Sequence, residues 1–436
     1  MPQALKDRQD HQRGQDWSTH AAALDADPPT HSVQSMAAKC SWFIIGLCVL
    51  TLIAQTIWFS LPAQDASPRT FADFDAFYLA SEMIWRGEIQ QAYHFSMFTR
   101  AQEAYFGAPR FLPWAYPPPF NVLIAPLAFL PYGMAYGLFT AATMMAYLLT
   151  LRRLAGKGFA VVVLATSPAI LITVLCGQNG FLTGTFIGLA CLALQNRRAS
   201  AGLPLGLMII KPHLAIAYAV YLLVTRRWAV ITVGALTVAA TSALTTALLG
   251  TEIWDAFIAG AQEARAFLEE GKYPLPRMVS LYAALRSFGV SAATAFMGQA
   301  TVAIVVLAII CLVAYRGIPA RQSLGITAIA SLLVSPYAYD YDLPILGVGL
   351  ALLLPDILRG SRREQAAIFV LSFTTCAIGQ VQTSLRLKSP VESIATAGDN
   401  MALSVAGLTL LTVLGLTGLQ IAPRRHPVHL SQKCSE

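Results

Sequence analysis

The sequence is poor in charged residues. Asp, Glu, Lys and Arg make up 12% of the 436 residues, whereas hydrophobic residues make up 56%; an ordinary soluble protein is about 25% charged. Several continuous apolar runs approach or exceed the roughly 18 residues that a membrane-spanning helix needs. Because these runs do not alternate in polarity, they disfavour a transmembrane β-barrel and predict an all-α polytopic membrane protein.

Cysteine is also scarce, and the seven Cys residues follow no ligand pattern. None belongs to a C-x-x-C or Cys/His motif, and most lie in apolar runs, where a free Cys behaves as a small hydrophobe. The spacing therefore predicts neither a disulfide framework nor a zinc site. The net charge of +7 does not indicate nucleic-acid binding, because most Arg residues lie in short clusters between apolar runs, as the positive-inside rule predicts.

These basic clusters occur at every second connection between apolar runs. The alternation predicts about 12 membrane crossings within an integral membrane domain over residues 39–423, with both termini in the cytoplasm. Residues 1–38 are polar and are expected to form a disordered cytoplasmic tail, and residues 424–436 a cytoplasmic C-terminal tail. The first apolar run starts near Ser41, which is late for a signal peptide. The predicted outer loops span about 62–118, 251–290 and 384–400.

The first outer loop includes Phe71–Phe120, a polar segment rich in Phe, Tyr and Trp. Connections of this length are uncommon and are usually functional or disordered. The aromatic content disfavours disorder. The segment therefore predicts a folded, functional loop at the membrane surface.

Two acidic residues stand near the start of this segment. If 72–86 is helical, Asp73 lies at the border of an apolar face, while Asp75 lies beside Glu82 on a wetter, acidic face. A carboxylate at an apolar border can have its pKa raised toward the range of a general base. Alternatively, both Asp residues only cap the helix.

Residues 201–225 form two short apolar halves that meet at Lys211-Pro212-His213. Short halves interrupted by Pro are typical of a broken element that lines a cavity. An ionisable residue within the membrane is a candidate for function. Lys211 could instead extend its amine to the membrane surface from a nearby boundary.

Other polar candidates stand at the ends of apolar runs. Tyr116 precedes three prolines, which either redirect the chain or shape a site. Gln178 and Asn179 lie between two glycines. Either they contribute to a site or their role is limited to building a tight turn.

A tyrosine-rich motif precedes another apolar run near residue 343. Its aromatic residues, including Tyr337, could be ordinary interfacial side chains. Asp340 and Asp342 stand directly at the start of the run, which makes them stronger candidates for a functional site.

Taken in order, these motifs resemble glycosyltransferase family 87, which includes polyprenol-phosphate-mannose-dependent α-mannosyltransferases with the GT-C fold. The resemblance covers about residues 41–422 and implies a GT-C fold with a catalytic first outer loop. It rests on Asp73-Phe74 with Phe77-Tyr78-Leu79-Ala80, Tyr116-Pro117-Pro118, Gly177-Gln178-Asn179-Gly180, Lys211-Pro212, and Ser335-Pro336-Tyr337 with Tyr341-Asp342.

The resemblance implies transfer of a hexose, mannose foremost, from a polyprenyl-phosphate sugar to a hydroxyl of a lipid-linked or cell-envelope glycan, with inversion. It implies a plasma (inner) membrane enzyme whose active site faces the periplasmic or extracytoplasmic side. The expected partners are the donor, the glycolipid or glycan acceptor and the bilayer. The family's catalytic Asp matches Asp73, with Asp75 as a possible second acid. The expected donor-phosphate or substrate contacts are Lys211, His213, Gln178, Asn179, Tyr116, Tyr337, Asp340 and Asp342.

A cation such as Lys211, or an Arg of an outer loop, can stabilise the departing lipid phosphate. Because this phosphodiester is a good leaving group, neither a metal nor another cofactor is expected. A metal site would require Asp73, Asp75, Asp340 and Asp342 to converge. The alternative function is a polytopic transporter or lipid flippase, since broken spans and buried charges suit transporters too. The long aromatic loop and the lack of a clear two-fold repeat favour the transferase.

Overall fold

The computed structural model describes residues 28–61, 73–107, 111–387 and 403–421. This part of the chain is helical, with no strand, which confirms the all-α prediction for these residues. The remaining residues include most of both predicted tails, the start of the first outer loop and most of the third. Predictions made for 1–27, 62–72, 388–400 and 424–436 therefore lie outside the described residues.

The helices are numbered α1 to α18 along the described chain. Their bounds are α1 Pro28–Ser60, α2 Phe74–Trp85, α3 Ile89–Ala92, α4 Phe95–Phe106, α5 Pro118–Ile124, α6 Tyr132–Ala155, α7 Phe159–Cys176, α8 Gly180–Gln195, α9 Gly202–Leu207, α10 Ile216–Val224, α11 Trp228–Leu249, α12 Glu252–Glu269, α13 Leu281–Ser287, α14 Ala292–Tyr315, α15 Ala320–Val334, α16 Pro344–Ile357, α17 Arg362–Leu387 and α18 Ala406–Ile421.

Five helical segments of the described chain are long and apolar enough to cross a membrane. The second of these contains both α6 and α7, which a turn at Gly156 (φ +53°) separates. Shorter apolar helices, among them α8, α15, α16 and α18, accompany them. The number of crossings, about 12, stays a prediction. The five segments are Met36–Ser60, Tyr132–Cys176, Trp228–Leu249, Ala292–Tyr315 and Arg362–Ser384.

The helices divide into a buried centre and an apolar periphery. Helix α16 packs against α15, α7 and α8 at the centre. Helices α1, α11 and α14 expose large apolar side chains instead, including Leu50, Leu236 and Ile304. An apolar outer surface around a packed centre is the arrangement expected where the surrounding solvent is lipid.

The broken element predicted at 201–225 is confirmed. Helix α9 leads into a 3₁₀ turn, Met208–Ile210, and a second turn, Pro212–Leu214, leads into α10. Lys211 lies between the two turns with φ −145° and ψ 70°. Proline lacks an N–H and disfavours helical angles in the residue before it, so Pro212 accounts for the break at Lys211.

The segment predicted as the second outer loop is mostly helical and packs on the segment predicted as the first. It contains α12, a 3₁₀ turn at Leu275–Arg277, and α13. Helix α12 contacts α3, and the Glu263 carboxylate accepts a hydrogen bond of 2.9 Å from the backbone N–H of Phe95. The two loops therefore form one layer over the ends of the helices.

Gly180 provides a direct test of how closely α8 packs against the connection from α15 to α16. It is the first residue of α8, and an added Cβ would lie 1.7 Å from the carbonyl oxygen of Tyr341. We expect Gly180→Ala to lower the free energy of unfolding by about 1–3 kcal/mol, as overpacking typically does. Thermal unfolding of the purified protein measures this. Gly415→Ala in α18 is the control, because its added Cβ would meet nothing within 4 Å; equal melting temperatures of the two variants would contradict the packing.

Candidate active site

A cavity of about 490 Å³ lies between the two outer loops, the broken element and the connection from α15 to α16. Its size is within the usual range of small-molecule sites, about 300–1,000 Å³. The cavity brings together residues from five separate parts of the sequence. Six of the predicted site residues line it: Asp73, Tyr116, Gln178, Lys211, His213 and Tyr337.

Asp73 lies at the inner side of the first outer loop, at the N-cap position of α2. Its side chain makes no capping hydrogen bond, so it does not serve the capping role considered above. The carboxylate is 14% exposed, and its Oδ2 is buried with no hydrogen-bond partner among the described residues. Burial raises the pKa of Asp73, and the charge of Asp340 adds to this, although Arg277 and Lys211 oppose it. Asp73 therefore has the free oxygen and raised pKa that a general base needs.

Arg277 is the cation next to Asp73. Its Nη2 lies 4.0 Å from Asp73 Oδ2. The guanidinium also forms a two-pronged pair with Asp340, with both nitrogen–oxygen distances at 3.0 Å. Burial opposes the charge of Arg277, but the carboxylates of Asp340 and Asp73 hold its pKa well above the usual value. The guanidinium is therefore a fixed positive charge at the cavity wall.

Lys211 supplies a second cation. Its Nζ lies 2.7 Å from Asp342 Oδ1, and the two side chains are 7% and 1% exposed. The amine also lies over the rings of Tyr341 and Tyr116, 4.7 and 5.9 Å from their centroids. These contacts hold the amine at the cavity wall, where it is buried and paired rather than extended into solvent.

Asp340 and Asp342 hold the two cations from behind the cavity wall. Both belong to the 3₁₀ turn Asp340–Asp342, and both are almost fully buried. The turn is fixed to the second outer loop, because the Val279 N–H donates to the Ala338 carbonyl at 2.7 Å. The structure therefore places these two carboxylates as partners of Arg277 and Lys211.

Tyr116 and Gln178 form the cavity wall beside Asp73. The Tyr116 hydroxyl donates to Gln178 Oε1 at 3.0 Å, and Gln178 Oε1 also accepts the Asn179 N–H at 3.1 Å. The Tyr116 carbonyl is held by the Tyr93 hydroxyl at 2.9 Å. Asn179 is fully buried and does not line the cavity, and its side-chain atoms have no hydrogen-bond partner in the described chain.

His213 lines the cavity two residues beyond Lys211. Its Nε2 is buried and has no hydrogen-bond partner in the described part of the chain. An unpartnered buried nitrogen is costly unless a ligand or water binds it. His213 is therefore placed to contact a bound substrate.

The prediction that Asp75 faces water is wrong. Asp75 is fully buried and accepts a hydrogen bond from the Tyr132 hydroxyl of α6. Helix α2 begins at Phe74, and the far side of its first turn packs against α6. Asp75 therefore anchors α2 in the interior, on the side of the helix away from the cavity.

Sequence reasoning did not single out Arg277 or several aromatic residues of the cavity. For Arg277, the sequence predicted only that some Arg of an outer loop could stabilise the departing lipid phosphate. The signal that could have identified it is Pro274-Leu275-Pro276, because two prolines stiffen the segment that presents it. Besides Tyr339 and Tyr341 of the tyrosine-rich motif, the aromatic residues that line the cavity include Tyr273, Phe77, Phe111 and Phe257.

The four aspartates do not converge on a common point. Asp340 and Asp342 pair with cations, and Asp75 binds Tyr132. Among the described residues, no group of three His, Cys, Asp or Glu side chains could hold a metal ion. What the cavity offers is one carboxylate with a free oxygen beside two cations, which is suited to deprotonating a hydroxyl near an anionic group.

The sequence was also compared with known proteins. The model of glycosyltransferase family 87 matches residues 114–336, just over half of the chain. The chain belongs to glycosyltransferase family 87. Neither a curated protein nor a solved structure matches it. Family 87 membership implies a membrane glycosyltransferase, in agreement with the apolar helices.

The family 87 match is narrower than the resemblance over residues 41–422. It includes Tyr116, Lys211 and Arg277, but it begins after Asp73 and ends before Tyr337. The link between Asp73 and the matched segment therefore rests on the shared cavity. Membership in a transferase family also favours the transferase over the transporter or flippase.

Proposed function

We propose that this protein transfers a hexose, mannose foremost, from a polyprenyl-phosphate sugar to a hydroxyl of a lipid-linked or cell-envelope glycan. The reaction inverts the anomeric carbon, with Asp73 as general base. The observation that carries this proposal is the buried, unpartnered Asp73 Oδ2, 4.0 Å from Arg277 in a cavity that Lys211 also lines.

The donor phosphate is assigned to the space between Lys211 and Arg277. An ammonium group has three N–H donors, and Lys211 uses one of them on Asp342. Arg277 uses its Nε and Nη2 on described residues, which leaves Nη1 for a ligand. Both cations can therefore donate to a phosphate without breaking their carboxylate pairs.

An apolar wall offers a path for the lipid part of the donor. Phe257, Ala261 and Ala264 line the cavity from one face of α12, at the i, i+4 and i+7 spacing of a helical stripe. Ile210 and Pro212 continue this surface at the broken element. Isoprene units are apolar, so this wall suits the units nearest the phosphate.

The proposed step needs no group beyond these. Asp73 takes the proton of the acceptor hydroxyl as its oxygen bonds to the anomeric carbon. The bond from that carbon to the phosphate oxygen breaks on the opposite side, and its electron pair leaves with the lipid phosphate. Lys211 and Arg277 stabilise this charge. We propose that the enzyme uses no metal or other cofactor, because the phosphodiester is a good leaving group and two cations already face it.

The donor requirement is the direct test of this function. Purified protein is incubated with a panel of polyprenyl-phosphate and nucleotide sugars together with glycan acceptors, and products are identified by mass spectrometry. We expect transfer from polyprenyl-phosphate hexoses, highest with mannose. Transfer from nucleotide sugars alone would overturn the proposal.

We further propose a GT-C fold with about 12 crossings in the plasma membrane and the cavity on the extracytoplasmic side. Cysteine residues introduced into the outer loops, for example at Asp255 or Lys272, should react with a membrane-impermeant thiol reagent in intact cells. Cysteine at Arg198, in a basic connection, is the matched control and should react only after permeabilisation. If the cysteine at position 198 is labelled from outside and the cysteine at position 255 is not, the proposed orientation is reversed.

The raised pKa of Asp73 predicts the pH dependence of transfer. A base must be unprotonated, so kcat/KM should fall as the pH falls through this pKa. Because burial raises the pKa above its ordinary value of 3.8, the acidic limb should lie at higher pH than for an exposed Asp. A pH–rate profile of kcat/KM measures this. A flat profile down to the ordinary Asp range would exclude Asp73 as the base.

A further inference from the structure

Two tyrosines from different segments form a corner of the cavity. Tyr273 precedes the turn that presents Arg277, and Tyr337 precedes the turn that holds Asp340 and Asp342. Their ring centroids lie 6.4 Å apart, and the ring planes are 88° to each other. Both rings are partly exposed and line the cavity. A ligand that occupies this corner meets one ring face and one ring edge.

The orientation of the corner is fixed by packing behind it. The ring of Phe111 packs against Tyr273 at 5.4 Å and 73°, and it also contacts Phe267 of α12 at 5.4 Å. Tyr337 is held through its backbone N–H, which donates to the Ser335 hydroxyl at 3.1 Å. A supported aromatic surface loses little conformational freedom when a ligand binds.

Neither phenol hydroxyl makes a hydrogen bond within the described part of the chain. Burial raises the pKa of Tyr337 to about 12, so its hydroxyl stays protonated and can both donate and accept a hydrogen bond. An apolar chain in the corner would leave both hydroxyls unsatisfied. The corner therefore favours a ligand that has an apolar face and hydroxyl groups together.

A sugar ring has this combination. Its axial C–H bonds form a weakly positive face that an aromatic ring attracts, and its hydroxyls can bind the phenol groups. We propose that the Tyr273–Tyr337 corner binds a sugar ring of the acceptor glycan and so positions the acceptor in the cavity. This rests on the proposed transferase function.

The position of the corner in the cavity supports this assignment. The cations and the apolar wall of α12 are assigned to the donor. The two turns next to the corner carry Arg277 and the partners of both cations, Asp340 and Asp342. An acceptor ring on Tyr273 and Tyr337 shares the cavity with Asp73, the proposed base. The sequence also allowed Tyr337 to be an ordinary interfacial aromatic residue. In that case no ligand would bind at the Tyr273–Tyr337 corner.

Binding and turnover test the corner separately. Saturation-transfer NMR with methyl glycosides of common hexoses detects contact with the purified protein without needing catalysis. Steady-state transfer is measured with the same glycosides and with glycerol as acceptors, at saturating polyprenyl-phosphate donor. We expect Tyr337→Leu and Tyr273→Leu to abolish the NMR contact and to raise the glycoside KM at least tenfold, with an unchanged donor KM and glycerol rate.

Tyr273→Phe and Tyr337→Phe keep the rings and remove the hydroxyls, so they should retain the NMR contact and raise the glycoside KM by a smaller factor. Tyr315→Leu, at the exposed end of α14, is the control and should change nothing. An unchanged glycoside KM in the Leu variants would overturn the subsite while leaving the transferase intact. Loss of glycerol transfer as large as the loss of glycoside transfer would do the same. No transfer by the wild type from any polyprenyl-phosphate sugar would instead refute the function on which it rests.

Discussion

Asp73→Asn is expected to lower turnover by about 10²- to 10⁴-fold, the usual contribution of a general base. The amide keeps the shape of the side chain but cannot accept the proton of the acceptor hydroxyl. Donor binding should survive, because Lys211 and Arg277 remain. Turnover and donor affinity are measured separately on purified variants of matched thermal stability.

Two controls make this result specific. Asp255→Asn changes an exposed carboxylate of α12 and should leave turnover unchanged. Asp75→Asn keeps an acceptor for the Tyr132 hydroxyl and should preserve the acidic limb of the pH profile, whatever its effect on stability. Near-normal turnover in Asp73→Asn, with loss of the limb in Asp75→Asn, would move the base to Asp75. Near-normal turnover in both variants would show that neither carboxylate acts as the general base.

Lys211→Met is expected to affect both donor use and stability. Asp342 is 1% exposed, and removing one partner of a buried ion pair typically costs about 3–5 kcal/mol. Lys211→Met with Asp342→Asn removes both charges and should recover much of that stability. Donor KM should stay raised at least tenfold in the double variant, because the phosphate has lost a cation. Acceptor KM should change much less.

Denaturation and donor titration separate these two effects. Lys272→Met is the matched control, because Lys272 is a half-exposed cation of the same outer layer. If the double variant recovers both stability and donor KM, Lys211 serves only to neutralise Asp342. If donor KM rises while stability is restored, the amine contacts the donor.

Composition and punctuation were enough to predict an all-α membrane protein and the break in the element at 201–225. The break that the two short apolar halves of residues 201–225 predicted lies at Lys211, where Pro212 requires it. These features are local, because a helix boundary depends on residues within one or two turns of it. The partners across the fold are not local, so their identity emerges only from the structure.

Asp75 and Arg277 show this limit. The sequence predicts that Asp73 and Asp75 face opposite sides of a helix, and they do. It cannot show that Asp75 meets Tyr132, because that contact depends on how α2 packs on α6. Arg277 is one of several charges in its loop, and the flanking prolines alone do not show that it pairs with Asp340 while Arg265 stays exposed.

The single turn Asp340–Asp342 has a consequence for how related sequences can differ. It pairs with two cations that lie 66 positions apart in the chain, Lys211 and Arg277. Loss of either cation leaves a buried carboxylate uncompensated, so substitutions at 211 and 342, and at 277 and 340, should occur together in relatives. A relative with a neutral residue at 342 should therefore also lack the cation at 211, and exchange of one member alone should be rare.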